Sequence, residues 1–185
     1  KKASRSKLLK RIAAAEEATD QLEIEISDYL VRVSENTNLE HDLIERIRFL
    51  QTMINDMERI ADIYFQISKL SERLHETRSQ WPGDARADMV QMMEALRNAV
   101  QNMQESTSKE PEEVSLERAI ELEDRIDELR DSFRDTHFSR LENGDYSPRA
   151  GVIFIDVLNR IERIGDHILN VNESAANHRL KAQRV

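Results

Sequence analysis

INDMERIAD at residues 54–62 returns as LNRIERIGD at residues 158–166, sharing an Asn, a Glu-Arg-Ile core and a closing Asp. Around each stretch apolar residues recur at alternating spacings of four and three. The series Ile47, Leu50, Ile54, Met57, Ala61, Tyr64 in one place answers Phe154, Leu158, Ile161, Gly165, Ile168 in the other. That period marks a helix with one face packed in a bundle. The segments upstream also correspond, with Glu16 and Asp20 opposite Glu123 and Asp127. The chain therefore reads as a repeated two-helix unit, with one more helix ahead of the second copy.

Composition agrees with an all-α chain. Of 185 residues, 39% are hydrophobic and 34% charged, and 4 Gly with 3 Pro are too few turn-formers for a sheet protein. The expected architecture is an antiparallel helical bundle of five long helices. With 36 acids against 27 bases the net charge is -9, which repels phosphodiester backbones and argues against a nucleic-acid partner. Cysteine is absent, so disulfides and thiolate zinc sites are excluded, and any metal must be held by oxygen or imidazole. No apolar run is longer than Val152–Ile155, far short of a membrane span. The start of the chain runs against the overall sign. Lys1, Lys2, Arg5, Lys7, Lys10 and Arg11 come with no acid among them, as the positive-inside rule places residues just cytoplasmic of a membrane helix. A solvated helix end has the same composition.

Sparse punctuation sets the helix ends. A first helix opens near Ser4 or Ser6 and breaks at Asn36-Thr37-Asn38, after which Thr37 and Glu40 form a capping box for the second. Trp81-Pro82-Gly83 is the strongest break, with Asp84 placed to cap a third helix reaching about Ser106. Pro111 suits the first turn of the fourth. Asn143-Gly144-Asp145 ends that helix, Ser147-Pro148 opens the fifth, and the fifth is expected to end near Asn177. In the first helix the seam reads Leu8, Ile12, Ala15, Thr19, Leu22, Ile26, Tyr29, Val33; the third has a Met-rich stripe suited to filling a core.

Each of the four repeated helices contains Glu-x-x-x-Asp: Glu16/Asp20, Glu58/Asp62, Glu123/Asp127 and Glu162/Asp166. In every case the pair follows two seam positions by one residue, a rotation of about 100° from the core stripe to the flank where a helix meets a neighbour. Carboxylates four apart on a helix repel by about 0.2–0.5 kcal/mol, so four such pairs call for compensation. One source is arginine at i,i+3 spacing: Arg59 to Asp62, Arg163 to Asp166 and Arg130 to Asp127. The other is a hard cation shared by several carboxylates, since Mg, Ca, Mn or Fe prefers oxygen donors. His167 lies about 200° from the seam residue Gly165 and is expected to face solvent or a partner. Glu72-x-x-His75 has di-iron spacing but occurs once, where such a site needs two. No Gly-rich phosphate loop, HExxH, GxSxG or Ser/His/Asp arrangement is present, so no enzyme is expected.

MERIADIYFQIS at 57–68 and IERIGDHILNVNE at 161–173 resemble the signature of PhoU-like domains. The longer stretch HFSRLENGDYSPRAGVIFIDVLNRIERIGDHILNVNE, residues 137–173, is similar to the C-terminal PhoU-like region of bacterial sodium/phosphate cotransporters. The match is tight in the fifth helix and looser in the second, where Ala61 and Gln66 stand in place of Gly and Asn. The resemblance implies three-helix-bundle repeats, here a partial one of two helices over 1–80, lacking its leading helix, and a complete one over 84–177, followed by a tail at 178–185. It also implies multinuclear iron or zinc, or else Mn or Mg, at the four pairs just named. The implied role is regulation of phosphate uptake, by a domain on the cytoplasmic face of the inner membrane. Its implied partner is a transmembrane transporter domain of the same chain, with a homodimer as a second association. A stand-alone phosphate-signalling adaptor and a plain helical scaffold with solvated carboxylates are the alternatives.

Overall fold

A computed structural model describes residues 2–35, 40–108, 115–145 and 147–182, with side-chain surroundings from residue 4 to 176. Its five helices are α1 (Lys2–Ser34), α2 (His41–Glu76), α3 (Gly83–Ser108), α4 (Leu116–Glu142) and α5 (Pro148–Ala182). No strand occurs among the described residues. The chain is all-α, and none of its described helices is long and apolar enough to cross a membrane. Helix α5 occupies the centre and packs on α2, α3 and α4, while α1 packs chiefly on α2.

The core lies where α3, α4 and α5 meet. Met92 and Leu96 from α3, Ile126 from α4, and Phe154, Leu158, Ile161 and Ile164 from α5 are all but fully enclosed. Burying each such side chain stabilises by about 1.5–3 kcal/mol. The methionines of α3 are core residues, as their spacing requires. A buried arginine ties the same three-helix unit at one end: Arg140 of α4 donates to the exposed Asp84 at 2.9 Å and to the largely enclosed Asp88 at 2.6 Å, both on α3. His137, one turn earlier, stacks on Phe154 with ring centroids 5.5 Å apart.

Helices α2 and α5 run antiparallel and are joined by polar contacts that repeat the internal duplication. Arg160 of α5 donates to Gln66 of α2 at 2.7 Å, and Asn170 of α5 reaches Asp56 of α2 at 3.5 Å. In the aligned repeats Asp56 corresponds to Arg160 and Gln66 to Asn170, so the two contacts are the same pair of positions with the helices exchanged. The halves are thus related by a pseudo-two-fold axis through the α2–α5 contact. His167 sits beside that axis, with Nδ1 2.9 Å from Asp56 Oδ1. The expectation that His167 faces solvent or a partner is corrected, because the side of α5 opposite α3 and α4 is covered by α2.

The breaks behave as their residues dictate, with differences at the ends. Gly144 takes a φ of 74° just past the end of α4, the left-handed position a glycine supplies without strain. Ser147 accepts the Ala150 N–H at 3.3 Å and so caps α5. Trp81, in the break between α2 and α3, donates its indole N–H to the Ala150 carbonyl at 2.9 Å and stands edge-on to Phe154. Asp84 lies in the first turn of α3 and accepts the Ala85 N–H at 2.9 Å. Helix α1 is already formed at Lys2, ahead of the expected start, and α5 continues to Ala182, past the expected end near Asn177. Glu40, without a side-chain cap bond, is the N-cap of α2. Thr37 of the expected capping box, the break at 36–38, and Pro111 lie outside the described residues, as do the side chains of the 178–185 segment.

The seam expected for α1 is where the structure differs most. Leu8, Ala15, Leu22 and Tyr29 are exposed, whereas the other half of that seam, Ile12, Thr19, Ile26 and Val33, is half-buried together with Leu9, Ala13, Glu16, Asp20 and Ser27, and Leu30 is buried. The repeat explains why. Ala15 and Leu22 correspond to Leu122 and Leu129 of α4, which are buried in the unit that α4 forms with α3 and α5. Among the described helices no counterpart of α3 lies on α1.

Candidate functional site

The four Glu/Asp pairs come together as two clusters, one between α1 and α2 and one between α4 and α5. Each pair sits on the flank beside its seam, and hairpin packing turns the two flanks of a hairpin toward each other. In the first cluster the electrostatic coupling crosses the interface. Burial raises the pKa of Glu16 and that of Glu58, and the Asp20 and Asp62 charges raise both further. The second cluster repeats this. Glu123 is raised to about 6, chiefly by burial and then by Asp127 and Asp166, the latter also hydrogen-bonded to it. Glu162 is raised by burial and by Asp166. These shifts arise because partly desolvated like charges disfavour ionisation together.

Charge compensation separates the two. Arg130 of α4 reaches across to Glu162 Oε1 at 2.5 Å, lies 3.3 Å from Asp127 Oδ1, and bonds Asp131 through Nε at 3.0 Å. Its guanidinium serves the second cluster as an internal counter-ion. The corresponding residue of α1 is Glu23. There the first cluster gains a fifth acid, which adds to the upward pressure on Glu58, and Glu23 itself accepts a bond from Ser27 at 3.0 Å. Arg59 is exposed and only partly offsets the charge at Glu58. Of the three arginine pairings expected from i,i+3 spacing, Arg130 to Asp127 is formed. Arg59 to Asp62 and Arg163 to Asp166 are not ion pairs in the structure.

Amides buffer the edges. Gln66 donates to Asp62 Oδ2 at 2.8 Å while accepting from Arg160, so the Gln that replaces Asn in the first copy links its cluster to α5. Two carboxylate oxygens stay buried without a hydrogen bond, Asp20 Oδ1 in the first cluster and Asp127 Oδ1 in the second, but the latter is ion-paired with Arg130 at 3.3 Å. An orphaned, buried carboxylate oxygen is an open coordination position for a cation. The donor set of the first cluster, all oxygen and short of positive charge, suits a hard metal. In the second, Arg130 already supplies the positive charge. Among the described residues no group of three or more carboxylates and imidazoles is placed to hold a metal ion.

Other candidates resolve simply. Glu72 is paired with Lys69 at 3.6 Å, and His75 is exposed at the same end of α2. Both line an open cleft of about 930 Å³ between the start of α1 and the end of α2, where Arg5, Lys10 and Arg78 mix with Glu76. That cleft shares no residue with the carboxylate clusters. Sequence reasoning overlooked Glu23, although its exchange for Arg130 at matched repeat positions was there to be read. It also overlooked the Arg140 and His167 pairs, whose partners lie on other helices.

Comparison with known proteins agrees with this architecture. The PhoU domain family model matches residues 2–71 and again residues 89–175, one segment in each half of the duplication. A curated relative, the phosphate-specific transport system accessory protein PhoU homolog 1 of Thermotoga maritima, is 22% identical over 169 residues, covering 90% of this chain and 70% of the relative. With most of its length matched in two copies and its paired carboxylates on the repeated helices, the chain belongs to the PhoU domain family.

Proposed function

We propose that this chain is a non-catalytic regulatory domain that controls phosphate uptake by a transporter. It acts through protein–protein contacts on its helical faces and through cations taken up by its carboxylates. The observation that carries the reading is the duplicated pair of acidic clusters on a PhoU-family bundle, together with the likeness to a phosphate-specific transport accessory protein. The similarity of residues 137–173 to the region attached to sodium/phosphate cotransporters supports a sodium-dependent transporter as partner, with the domain on the cytosolic side of the membrane. The basic residues of α1, Arg5, Lys7, Lys10 and Arg11, suit a position beside an anionic membrane surface.

Metal enters this reading as a counter-ion. Glu16, Asp20, Glu58 and Asp62 would hold it in the first copy, with iron, zinc, manganese or magnesium as candidates. In the second copy Glu123, Asp127, Glu162 and Asp166 would do so only with Arg130 displaced. A bound divalent ion would supply fixed positive charge, tying α1 to α2. The carboxylates themselves orient the flanks of the two helices toward one another and keep water-facing charge at the rim of the hairpin.

Phosphate uptake by cells expressing the transporter with and without this domain tests the role. Altered dependence of uptake on external phosphate is expected, and an unchanged dependence contradicts it. Fractionation of the native protein separates the two forms of the proposal. Retention in the membrane after alkaline washing marks an attached domain; release marks a free adaptor.

A further inference from the structure

One end of the first hairpin carries charge that the second copy reverses. Arg5 and Lys10 on α1 and Lys69 on α2 line the open cleft between those helices. Their matched positions in the other repeat hold Glu112, Glu117 and Glu173. The duplication therefore does not require a basic cleft, and these bases belong to the first copy alone. Nor does the cleft depend on the bare stripe of α1. At about 100° per residue, Arg5, Leu9, Lys10 and Ala13 centre roughly 150° around the helix from Leu8, Ala15, Leu22 and Tyr29. A helix packed on that stripe leaves this flank open: Ile120 of α4, matched to Ala13, is 41% exposed although α3 covers the corresponding stripe.

Several of these cations have no use within the fold. Arg5 is half-buried yet forms no ion pair or hydrogen bond among the described residues, and Lys10 and Arg78 form no ion pair there. Lys69 is already engaged by Glu72 at 3.6 Å and by the Phe65 ring. Arg78 takes a φ of 50° just past the end of α2, a left-handed position that favours glycine. A long cationic side chain kept where the backbone is strained points to a ligand for it. Guanidinium and ammonium groups around one cleft attract a multiply charged oxyanion. The acids in the cleft choose among such anions. Glu72 and Glu76 repel an anion that carries no proton, such as sulfate or a phosphodiester. Orthophosphate keeps a proton at neutral pH and can donate it in a hydrogen bond to a carboxylate, whereas a phosphomonoester is largely ionised there.

We propose that this cleft is a binding site for inorganic orthophosphate, with Arg5, Lys10 and Arg78 balancing its charge and Glu76 accepting the hydrogen bond of its P–OH group. Phosphate held there lies between the start of α1 and the end of α2, away from the acid clusters. The site deepens the regulatory reading and rests on it for its purpose, since the domain then senses the ion whose uptake it controls. Binding is measured on the domain without a transporter, so a failure of this site and a failure of the regulatory role are told apart.

The test is calorimetric titration of orthophosphate into the full chain at pH 7 and constant ionic strength, with a chelator keeping the acid clusters free of metal. Saturable binding of one phosphate per chain is expected, with sulfate and glycerol phosphate weaker by about tenfold. Lys10→Glu and Arg78→Gly, both at exposed positions, should each weaken phosphate by about tenfold, while Arg118→Glu, exposed on α4, should leave it unchanged. Arg78→Gly relieves the backbone and should melt slightly higher than the parent, so its loss of binding cannot come from unfolding. Glu76→Gln should bring sulfate close to phosphate in affinity. Absence of saturable binding, sulfate binding the parent as tightly as phosphate, or affinity unmoved by Lys10→Glu and Arg78→Gly would each overturn the proposal. So would binding that appears only with added metal and vanishes in Glu16→Gln/Asp20→Asn, which places the anion at the acid cluster instead.

Discussion

The cluster between α1 and α2 and the cluster between α4 and α5 are built from the same four carboxylates on matched helices, yet they balance charge differently. In the second, Arg130 lies between Glu162, Asp127 and Asp131. In the first, Glu23 occupies the matching position and deepens the imbalance. Similarity to the family signature and shortage of positive charge therefore point in opposite directions. The motif is closer to the signature in the second copy, where Arg130 offsets part of the negative charge although Glu123 is still raised to about 6. It is looser in the first, where the half-buried acids lack a cross-helix arginine and one Asp20 oxygen has no hydrogen bond.

The harshest way to break this contrast is to remove Arg130. Arg130→Ala leaves partly buried carboxylates without their counter-ion and should cost about 2–3 kcal/mol. That is somewhat below the loss for a fully buried pair, since part of the guanidinium faces water. Thermal unfolding without metal reads this directly, and adding Mn2+ should recover much of the loss, because the second cluster then resembles the first. The reciprocal change is Glu23→Arg. It should raise the stability of the metal-free chain by about 1 kcal/mol and abolish any stabilisation by Mn2+ or Zn2+. If both variants respond to metal as the parent does, the two clusters are equivalent after all.

Much of this was legible in the sequence. The five helices, the duplication, the Gly144 and Ser147 ends and the common phase of the acid pairs follow from period and turn chemistry. The partner of each face did not follow. A 4,3 stripe reports that a helix has an apolar side, and Leu8, Ala15, Leu22 and Tyr29 form one as clear as any in α5. Whether a neighbour covers it depends on how many helices gather round, and α1 meets chiefly α2. His167 failed for the mirror-image reason. Its angle from Gly165 was sound, but α5 is packed on opposite sides, so the far side of the seam is again an interior.

Acidity offers a gentler probe. A carboxyl whose folded pKa is raised binds its proton more tightly in the folded state. Its stabilising contribution is full below the unfolded value of 4.5 and is lost as pH rises through the folded value. For Glu123 that window runs from 4.5 to about 6, and Glu16, Glu58 and Glu162 shift in the same direction. Burial lowers the pKa of His137, which acts the other way over the same range, so the carboxyls are read as a difference: from pH 7.5 to pH 5.5 the melting temperature of the metal-free parent should rise relative to that of its Glu123→Gln variant. Glu123→Gln should flatten the second cluster's share of the slope, and Glu58→Gln the first's. An identical pH dependence of melting in the parent and in both Gln variants contradicts the assignment.

The smallest expected effect concerns a packing difference between the copies. A methyl group added at Gly165 would meet Ile126 Cδ1 at 3.2 Å, whereas the matching position in the first copy already holds Ala61. Gly165→Ala should cost about 0.5–1 kcal/mol. Crowding against Ile126 outweighs the better helix propensity of alanine. Denaturant unfolding resolves a change of this size, and a stabilised variant would show that Ile126 yields freely.

The central claim is that the first cluster seeks an external cation and the second contains its own. It is tested most directly by titrating Mn2+ into metal-free protein by calorimetry, comparing Glu16→Gln/Asp20→Asn with Glu123→Gln/Asp127→Asn. Binding is predicted to vanish in the α1 variant and to persist in the α4 variant. Binding lost equally in both, or retained when α1 is altered and lost when α4 is altered, would contradict it.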